Sequence, residues 1–319
     1  MNDPQNGKDI TVILNPVAGG GRGIKMRDRL VAELDRKFGS NYHQFTTSGP
    51  MDAMNIAREA IRQGSRLIIS VGGDGTINEI VNGFFDSNTM INPDCELGII
   101  DCSTGGGLAQ TLSIPDKLPD QLDVIQHGSL TELDVGEVEY TGVDHQMHQR
   151  LFISECSAGI GGAIVADVHY GYKLLGGTLA FGIVSLKHAF VFRPKQMEIK
   201  TGNGNPVYHE EFIGIVIGNG NYCAGGMRLT PEASPVDGQL DILLMRKMPL
   251  INRIRGLLKI YSGSHIDNKN FILFRTTMTM ITSMEPVEVE TDGEFIGTTP
   301  FSIRIHPQKI RIRSNAILK

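Results

Sequence analysis

Over roughly the first 130 positions, apolar residues follow two alternating rhythms. Short runs rich in β-branched and aliphatic residues at 10–14, 42–46, 67–71 and 97–100 read as strands. Between them, apolar positions recur near a 3.6-residue period. Met26, Leu30, Val31, Leu34 and Phe38 mark a helix over 24–38, and 51–63, 77–85 and 108–112 continue the series. Ser48 stands where a cap for the second of these helices is expected. Strand alternating with helix predicts an α/β domain built on a parallel, doubly wound sheet. Parallel strands bring their carboxyl ends to one edge, so the loops that leave them should converge on one site.

From about Leu130 the rhythm changes. Segments 133–140, 151–156, 196–201, 212–218, 240–245, 271–281, 287–291 and 301–305 read as strands of a second, mostly antiparallel β-rich domain. Two helices interrupt it, at 172–192 and 250–260. The first is apolar nearly all round, which predicts burial in a core, with the wall of a ligand cleft, an acyl-chain cleft under the family resemblance drawn below, as the alternative. Segment 114–129 would connect the halves, with Leu122 and Ile125 on a short helix. The expected domains are 1–130 and 131–319, a return of the last residues to the first domain being left open.

The loops carry the chemistry. Strand 67–71 runs into Gly72, Gly73, Asp74, Gly75 and Thr76 and then into a helix. Glycines let the backbone approach an anion, and the free N–H groups at the helix start point at phosphate oxygens. Asp74 repels phosphate, so its expected work is to hold a magnesium ion or to take a proton from an attacking hydroxyl. Two more glycine loops follow strand ends, one after Asn15-Pro16 and one at Ser103–Gly107. Arg22 and Lys25, beside the first, are expected to reach phosphate, with exposed helix residues as the alternative reading. Asp292-Gly293 between strand-like runs signals a type I′ hairpin turn, a reading compatible with catalysis by the same acid. Asp237-Gly238 reads equally as a turn or as a cation ligand. His145 and His148, near Asp144, read as a solvated hairpin tip.

Composition narrows the class. A chain of 319 residues, 40% hydrophobic and 20% charged, is long enough for two cores. A net charge of -5 argues against nucleic acid as the main partner. Cys95, Cys102, Cys156 and Cys223 are scattered without paired spacing, as in a reduced, cytoplasmic protein. The polar start carries no signal-peptide core, and no apolar run reaches the roughly 18 residues a spanning helix needs. A membrane, where one is involved, would be met from outside.

Taken in order, these motifs resemble the diacylglycerol kinase catalytic family, in particular its small soluble bacterial lipid kinases, whose wider set includes sphingosine and ceramide kinases. The resemblance runs nearly end to end. It rests on Asn15-Pro16 with its glycine turn, Gly72-Gly73-Asp74-Gly75-Thr76 with Asn78-Glu79 and Asn82-Gly83, Gly98-Ile99-Ile100, and Thr104-Gly105. Gly218-Asn219, Gly225-Gly226, the run from Pro231 to Asp241, and Asp292-Gly293-Glu294 complete it. It implies an NAD-kinase-like first domain, an interdomain cleft, and transfer of the γ-phosphoryl group of ATP to the hydroxyl of diacylglycerol or a related, including sphingoid, lipid alcohol. Asn15, Gly72, Gly73, Gly75, Thr76, Thr104 and Gly105 match the nucleotide-binding turns. Asp74, Asp292 and Glu294 match the family's two acidic motifs, which face each other across the cleft and between them supply the base. Mg²⁺ would bridge the phosphates. Asp237, in a turn that holds a structural cation in some members, and Asp134, tied to the same network, match metal-linked acids. The implied partners are a lipid substrate and a transient, peripheral membrane surface; a homodimer is left open.

One stretch departs from the pattern. Where the family typically reads Gly-Thr-Gly-Asn-Asp-Phe-Ala-Arg, this chain reads Ser103-Thr104-Gly105-Gly106-Gly107-Leu108-Ala109-Gln110. Gly106 removes an amide expected near the nucleotide, and Gly107 an acid that the sphingosine branch also lacks. An NAD-kinase-like phosphotransferase shares the Gly-Gly-Asp-Gly-Thr loop and is a second expectation; a nucleotide- or lipid-binding module without turnover is a third. Asn78-Glu79, Gly225-Gly226 and Ala233-Ser234 favour the lipid kinases over the second, and retention of Asp74, Asp292 and Glu294 argues against the third.

Overall fold

The computed structural model describes residues 9–103, 106–171, 177–202, 206–223 and 225–315. In chain order the first elements are β1 (Ile10–Leu14), α1 (Ala18–Lys25), α2 (Arg27–Phe38), β2 (Tyr42–Thr46), α3 (Asp52–Arg62), β3 (Leu67–Gly72) and α4 (Asp74–Gly83). A small hairpin of β4 (Phe85–Asp86) and β5 (Thr89–Met90) leads to β6 (Glu96–Asp101), α5 (Gly107–Thr111), α6 (Leu118–His127) and β7 (Ser129–Leu133). Then come β8 (Gly136–Thr141), β9 (Met147–Phe152), β10 (Glu155–Gly159), α7 (Ile160–Gly171), α8 (Gly177–Val191), β11 (Lys195–Thr201), β12 (Pro206–Gly218) and β13 (Leu240–Arg246). The last are α9 (Leu250–Lys259), β14 (Phe271–Thr276), β15 (Met278–Ser283), β16 (Glu288–Thr291), β17 (Glu294–Ile305) and β18 (Ile310–Ser314). Two compact units result, one comprising the chain up to Leu133 together with β18, the other Asp134–Pro307.

The first unit holds a six-stranded sheet in the order β2-β1-β3-β6-β18-β7. It is parallel except where β7 runs against β18 at the edge. The central strands are buried on both faces, which is why they read as unbroken apolar runs. On one face Val12, Leu14, Ile69, Val71 and Ile100 pack with Leu30 and Leu34 of α2 and Leu122 and Ile125 of α6. The alternate positions Ile13, Ile68 and Ile99 are equally buried, and α3 and α4 pack together and against β1 and β3.

The second unit is antiparallel. Its strands run β10-β16-β17-β15-β11-β12, and pairing of β12 back onto β10 closes the ring. β13 and β14 extend from β12, and β8 and β9 from β17. Inside, Phe152, Cys156, Ala158, Ile215, Ile217, Ile242, Val289 and Phe301 belong to one core. Strand alternation therefore turns Glu155, Ser157, Val216 and Glu290 to the opposite face.

Several elements differ from the pattern-based expectation, each for a physical reason. The helix expected over 24–38 is divided at Met26, which ends α1 and opens α2, and α1 itself starts through Gly19, Gly20 and Gly21 in left-handed conformation at φ 58°, 68° and 88°. Ser48 does not cap α3. Its N–H and hydroxyl donate to Asp52 at 2.7 Å each, while the N–H groups of Met51 and Ala53 donate to Glu79 of α4 at 2.9 and 3.1 Å. The run 151–156 breaks into β9 and β10 because the N–H groups of Ile153, Ser154 and Glu155 turn to the Asp292 carboxylate. Leu133 ends a strand of the first sheet and Gly136 begins one of the second, so 133–140 is not one strand. At Thr277 the run 271–281 changes neighbours, from β13 to β11 and β17. α7 escapes periodicity because it needs glycines: a β-carbon at Gly162 would lie 2.2 Å from the Glu288 carbonyl oxygen.

Candidate active site

Three strand-end loops of the first unit are tied to one another. Asn15, at the end of β1, donates from Nδ2 to Thr76 Oγ1 at 2.9 Å and accepts the N–H of Val17 on Oδ1 at 3.1 Å. Arg22 of α1 donates to the Ser103 carbonyl at 3.0 Å. Asp74, first residue of α4, accepts the N–H groups of Gly107 and Leu108 at 2.9 and 3.2 Å, which caps α5. Gly72 admits no side chain, since a β-carbon there would stand 2.5 Å from Thr76. Gly73 is extended at φ -116° and ψ -170° and leads into α4, whose first N–H groups have no partner within the helix and give it a positive end. Asn15, Gly72, Gly73, Asp74, Gly75 and Thr76 thus share one edge of the sheet. Thr104 and Gly105 lie outside the described residues.

The departure at Gly106 has a neighbour that explains it. Asp101 ends β6, and a β-carbon on Gly106 would approach its Oδ2 to 2.7 Å. The carboxylate is held there by the N–H of Ser103 on Oδ1 at 2.9 Å. Space that a side chain at 106 would fill is therefore occupied by an acid from the adjoining strand. Sequence reasoning passed over Asp101 because it ends an apolar run rather than standing in a glycine motif.

In the second unit Asp292 and Gly293 form a two-residue hairpin turn between β16 and β17, both left-handed at φ 47° and 81°. The Asp292 carboxylate is buried and accepts three main-chain N–H groups at 2.8–2.9 Å. Glu294 faces outward and pairs with Arg150 of β9. Glu290, two residues before the turn, is 2% exposed. It accepts the Ser157 hydroxyl and, at 2.9 Å, the N–H of Gly293. Burial, with the charge of Asp292 adding to it, pushes its carboxyl up to about 7 against the hydrogen bonds from Ser157 and Gly293.

Of these residues Glu290 and Gly293 line a cavity of about 160 Å³ within the second unit. Its walls are apolar: Ile160 and Ile164 of α7, Val216 of β12, Met245 of β13 and Leu257 of α9, with Phe271 of β14. Glu155, Ser157, Ser185, Arg253 and Glu290 supply its polar side chains, with Gly293 also on the lining. The helix read as core supplies Ser185 and Ala189 to this wall instead, and leaves Ile183, Leu186, Phe190 and Val191 exposed. Part of the expected span, 172–176, lies outside the described residues.

Asp134 is fully buried against the turn that bears Asp237. Its Oδ2 accepts the N–H of Gly238 at 2.7 Å, and its own N–H donates to the Pro235 carbonyl at 2.7 Å. Asp237 accepts the N–H of Gln239 at 3.0 Å and stands 3.8 Å from Arg275. Among the described residues no group of three or more His, Cys, Asp or Glu side chains is placed to hold a metal. His148 pairs with Asp144 at an exposed hairpin tip. All four cysteines are buried free thiols, those of Cys95 and Cys102 pushed up to about 12 chiefly by burial. No helix among the described residues is long and apolar enough to cross a membrane.

A glycine-rich, acid-bearing loop at the carboxyl edge of a parallel sheet, in a chain whose other half is a closed antiparallel sheet, defines a kinase class. Comparison with known proteins agrees. The model of the diacylglycerol kinase catalytic domain matches residues 9–138, and that of the YegS C-terminal NAD kinase beta sandwich-like domain matches 154–314, half of the 319-residue chain. The chain belongs to the diacylglycerol kinase and YegS lipid kinase family, and it is a kinase. A relative named "Diacylglycerol kinase" from Bacillus subtilis (strain 168) is 26% identical over 295 residues, 92% of each chain. "Probable lipid kinase YegS" from Escherichia coli O127:H6 is 28% identical over 280 residues, 88% of each. Two solved structures share the fold. A diacylglycerol kinase from Bacillus anthracis str. Sterne has a TM-score of 0.71 at 21% identity, covering 98% of this chain and 99% of that one. Yeast NADH kinase complexed with NADH has a TM-score of 0.57 at 11% identity, covering 99% and 89%.

Proposed function

We infer that the protein transfers the γ-phosphoryl group of ATP to the hydroxyl of diacylglycerol or a related lipid alcohol. The observation that carries this reading is the mostly apolar cavity whose lining includes Gly293 of the acidic turn. A hydrocarbon tail matches the mostly apolar lining of such a space, whereas a nicotinamide or adenine ring would bring ring nitrogens and an amide or amine that need polar partners. In the first unit the N–H groups opening α4 and the glycine turn after Asn15 suit the nucleotide phosphates, with Arg22 beside them. Asp74, which accepts the N–H groups of Gly107 and Leu108, would meet a metal that is itself bound mainly through phosphate oxygens and water. Mg²⁺ held there would neutralise phosphate charge. Asp292, its carboxylate spent on three main-chain donors, is suited to fixing the turn, while Glu294 projects outward and is the better placed proton acceptor of the pair. The exposed apolar residues of α8, with Leu250, Ile251 and Leu258 of α9, suit transient contact with a membrane surface.

The test is to incubate the protein with Mg²⁺, γ-labelled ATP and a mixed-micelle panel of diacylglycerol, monoacylglycerol, ceramide, sphingoid base and NAD, beside Asp74→Ala. Label in one lipid class, reduced at least about a hundredfold in the variant, is expected. Label in NAD alone would overturn the reading.

A further inference from the structure

Two carboxyl groups hold the acidic turn. Asp292 accepts the N–H groups of Ile153, Ser154 and Glu155, and its own N–H donates to the Glu155 carbonyl at 3.0 Å. The first turn residue is thereby tied to the corner between β9 and β10. The N–H of the second, Gly293, donates to Glu290 Oε2 at 2.9 Å. Glu290 is anchored in its turn by Ser157, which stands opposite it across β10 and β16 and donates its hydroxyl to Oε1. Glu294 follows Gly293 directly, so the hold on the Gly293 N–H sets how the chain leaves the turn toward it. Glu290 is almost wholly buried, and a carboxylate is costly to bury. A neutral acceptor could close the same hairpin. What an acid adds is strength, since a hydrogen bond to a carboxylate is roughly twice as strong as one to a neutral oxygen.

We propose that Glu290 is a positioning residue for phosphoryl transfer: by holding the Gly293 N–H and the Ser157 hydroxyl, its carboxylate fixes the turn in the conformation from which Glu294 takes the proton of the acceptor hydroxyl. This rests on the lipid-kinase reading and deepens it. In that step the hydroxyl proton passes to Glu294, the lipid oxygen bonds to the γ-phosphorus, and the bond from that phosphorus to the ADP oxygen breaks. Glu290 acts on these atoms only through the turn. Protonation weakens its hold. A neutral carboxyl turns one oxygen into a donor, so Ser157 must accept instead, and the Gly293 N–H keeps an uncharged acceptor. Burial raises the Glu290 carboxyl to about 7, so the change falls near neutrality and transfer quickens as pH rises through it. The other charged or titratable groups around it are Glu155 and the Cys156 thiol on β10, Asp292 in the turn, the Cys223 thiol, and Arg253 of α9. The Cys223 thiol donates to Glu155, and the Arg253 guanidinium to the carbonyls of Met248, Ala189 and Phe192. Burial pushes both thiols well up, so neither titrates near neutrality. Asp167 of α7 is paired with Lys187 and His188, and Glu294 of β17 with Arg150.

Two readouts on the full chain test this. The first is the amide resonance of Gly293 in protein labelled with heavy nitrogen at glycine, assigned by its loss in Gly293→Asn, which the left-handed backbone and open space there tolerate. Its proton should move downfield between pH 6 and pH 8.5 with a midpoint near 7, and stay still in Glu290→Gln, whose amide copies the protonated acid. The second is kcat, with KM for ATP, on whichever lipid of the mixed-micelle panel takes label. Wild type should gain about tenfold in kcat over the same range at unchanged KM, while Glu290→Gln keeps the low-pH value throughout. Ser157→Ala removes a bond that favours the charged form, so both midpoints should move together to higher pH. An amide that does not titrate, one that titrates equally in Glu290→Gln, or a kcat midpoint apart from the amide's would overturn the proposal. So would wild-type kcat in Glu290→Gln at pH 8.5. Each of these leaves the lipid kinase standing, because lipid is still phosphorylated. Phosphorylation of no lipid sinks the kinase reading and the role in transfer with it, while the amide titration still decides whether Glu290 holds the turn.

Discussion

At the scale of single residues, Glu290 and Gly106 make the sharpest cases. Glu290 keeps its proton in the folded protein up to about pH 7, whereas the unfolded chain releases it near 4.5. Between those values the native state binds more protons, so this group's contribution to stability falls as pH rises through the window and is flat above it. Glu290→Gln removes the slope. Urea unfolding should show the variant gaining on wild type from pH 5 to pH 8, by up to about 3 kcal/mol, and matching it near pH 4. A constant difference at every pH would contradict the assignment. Gly106 makes a complementary case. Gly106→Ala pushes a methyl into the Asp101 carboxylate and should cost about 1 kcal/mol, most of it recovered when Asp101→Ala is added. Purely additive unfolding midpoints would mean that the two residues do not compete for that space. Gly72 to Thr76 were legible in sequence because a phosphate loop needs its glycines side by side. Asp101 and Glu290 were not, because each ends or interrupts an apolar run and acquires its meaning only from a neighbouring strand.

At the scale of elements, the parallel strands were readable and the antiparallel ones only in outline. β1, β3 and β6 are buried on both faces, and their uninterrupted apolar runs state as much. Runs 151–156 and 271–281 hide corners. No glycine or proline marks the turns, and what bends the first is the distant Asp292 carboxylate. Helix α3 is likewise capped from α4 by Glu79, a long-range hydrogen bond that no local pattern could announce. α8 misled in the opposite sense: its apolar circumference reads as core, yet Ile183, Leu186 and Phe190 face outward beside cavity-lining Ser185 and Ala189. An exposed stripe of this kind is suited to a lipid surface. Phe190→Glu, remote from the acidic turn in sequence and exposed, should leave thermal unfolding unchanged while lowering co-sedimentation with anionic liposomes about fivefold or more. Unchanged sedimentation would remove α8 from membrane contact.

At the scale of the whole molecule, sequence and structure agree on a division of labour between two differently built units. The α/β unit gathers Asn15, Arg22, Asp74 and the opening N–H groups of α4 at one sheet edge, a set fitted to phosphate. The closed antiparallel unit carries the acidic turn and an apolar cavity lined in part by Gly293 of that turn. Motif order was enough to recognise the family, because several weak signals in fixed sequence are together specific. Acceptor identity was not legible, since under the proposed function it would reside in a cavity assembled from α7, α8, α9 and five strands far apart in the chain. The most direct measurement follows γ-labelled phosphate from ATP through a single organic extraction in the presence of Mg²⁺ and lipid alcohol, with ADP quantified in the same samples. Extractable lipid phosphate equal to ADP formed, mole for mole, is the predicted result. ADP formed with the label left in water as inorganic phosphate, or no ADP at all, would contradict a lipid kinase.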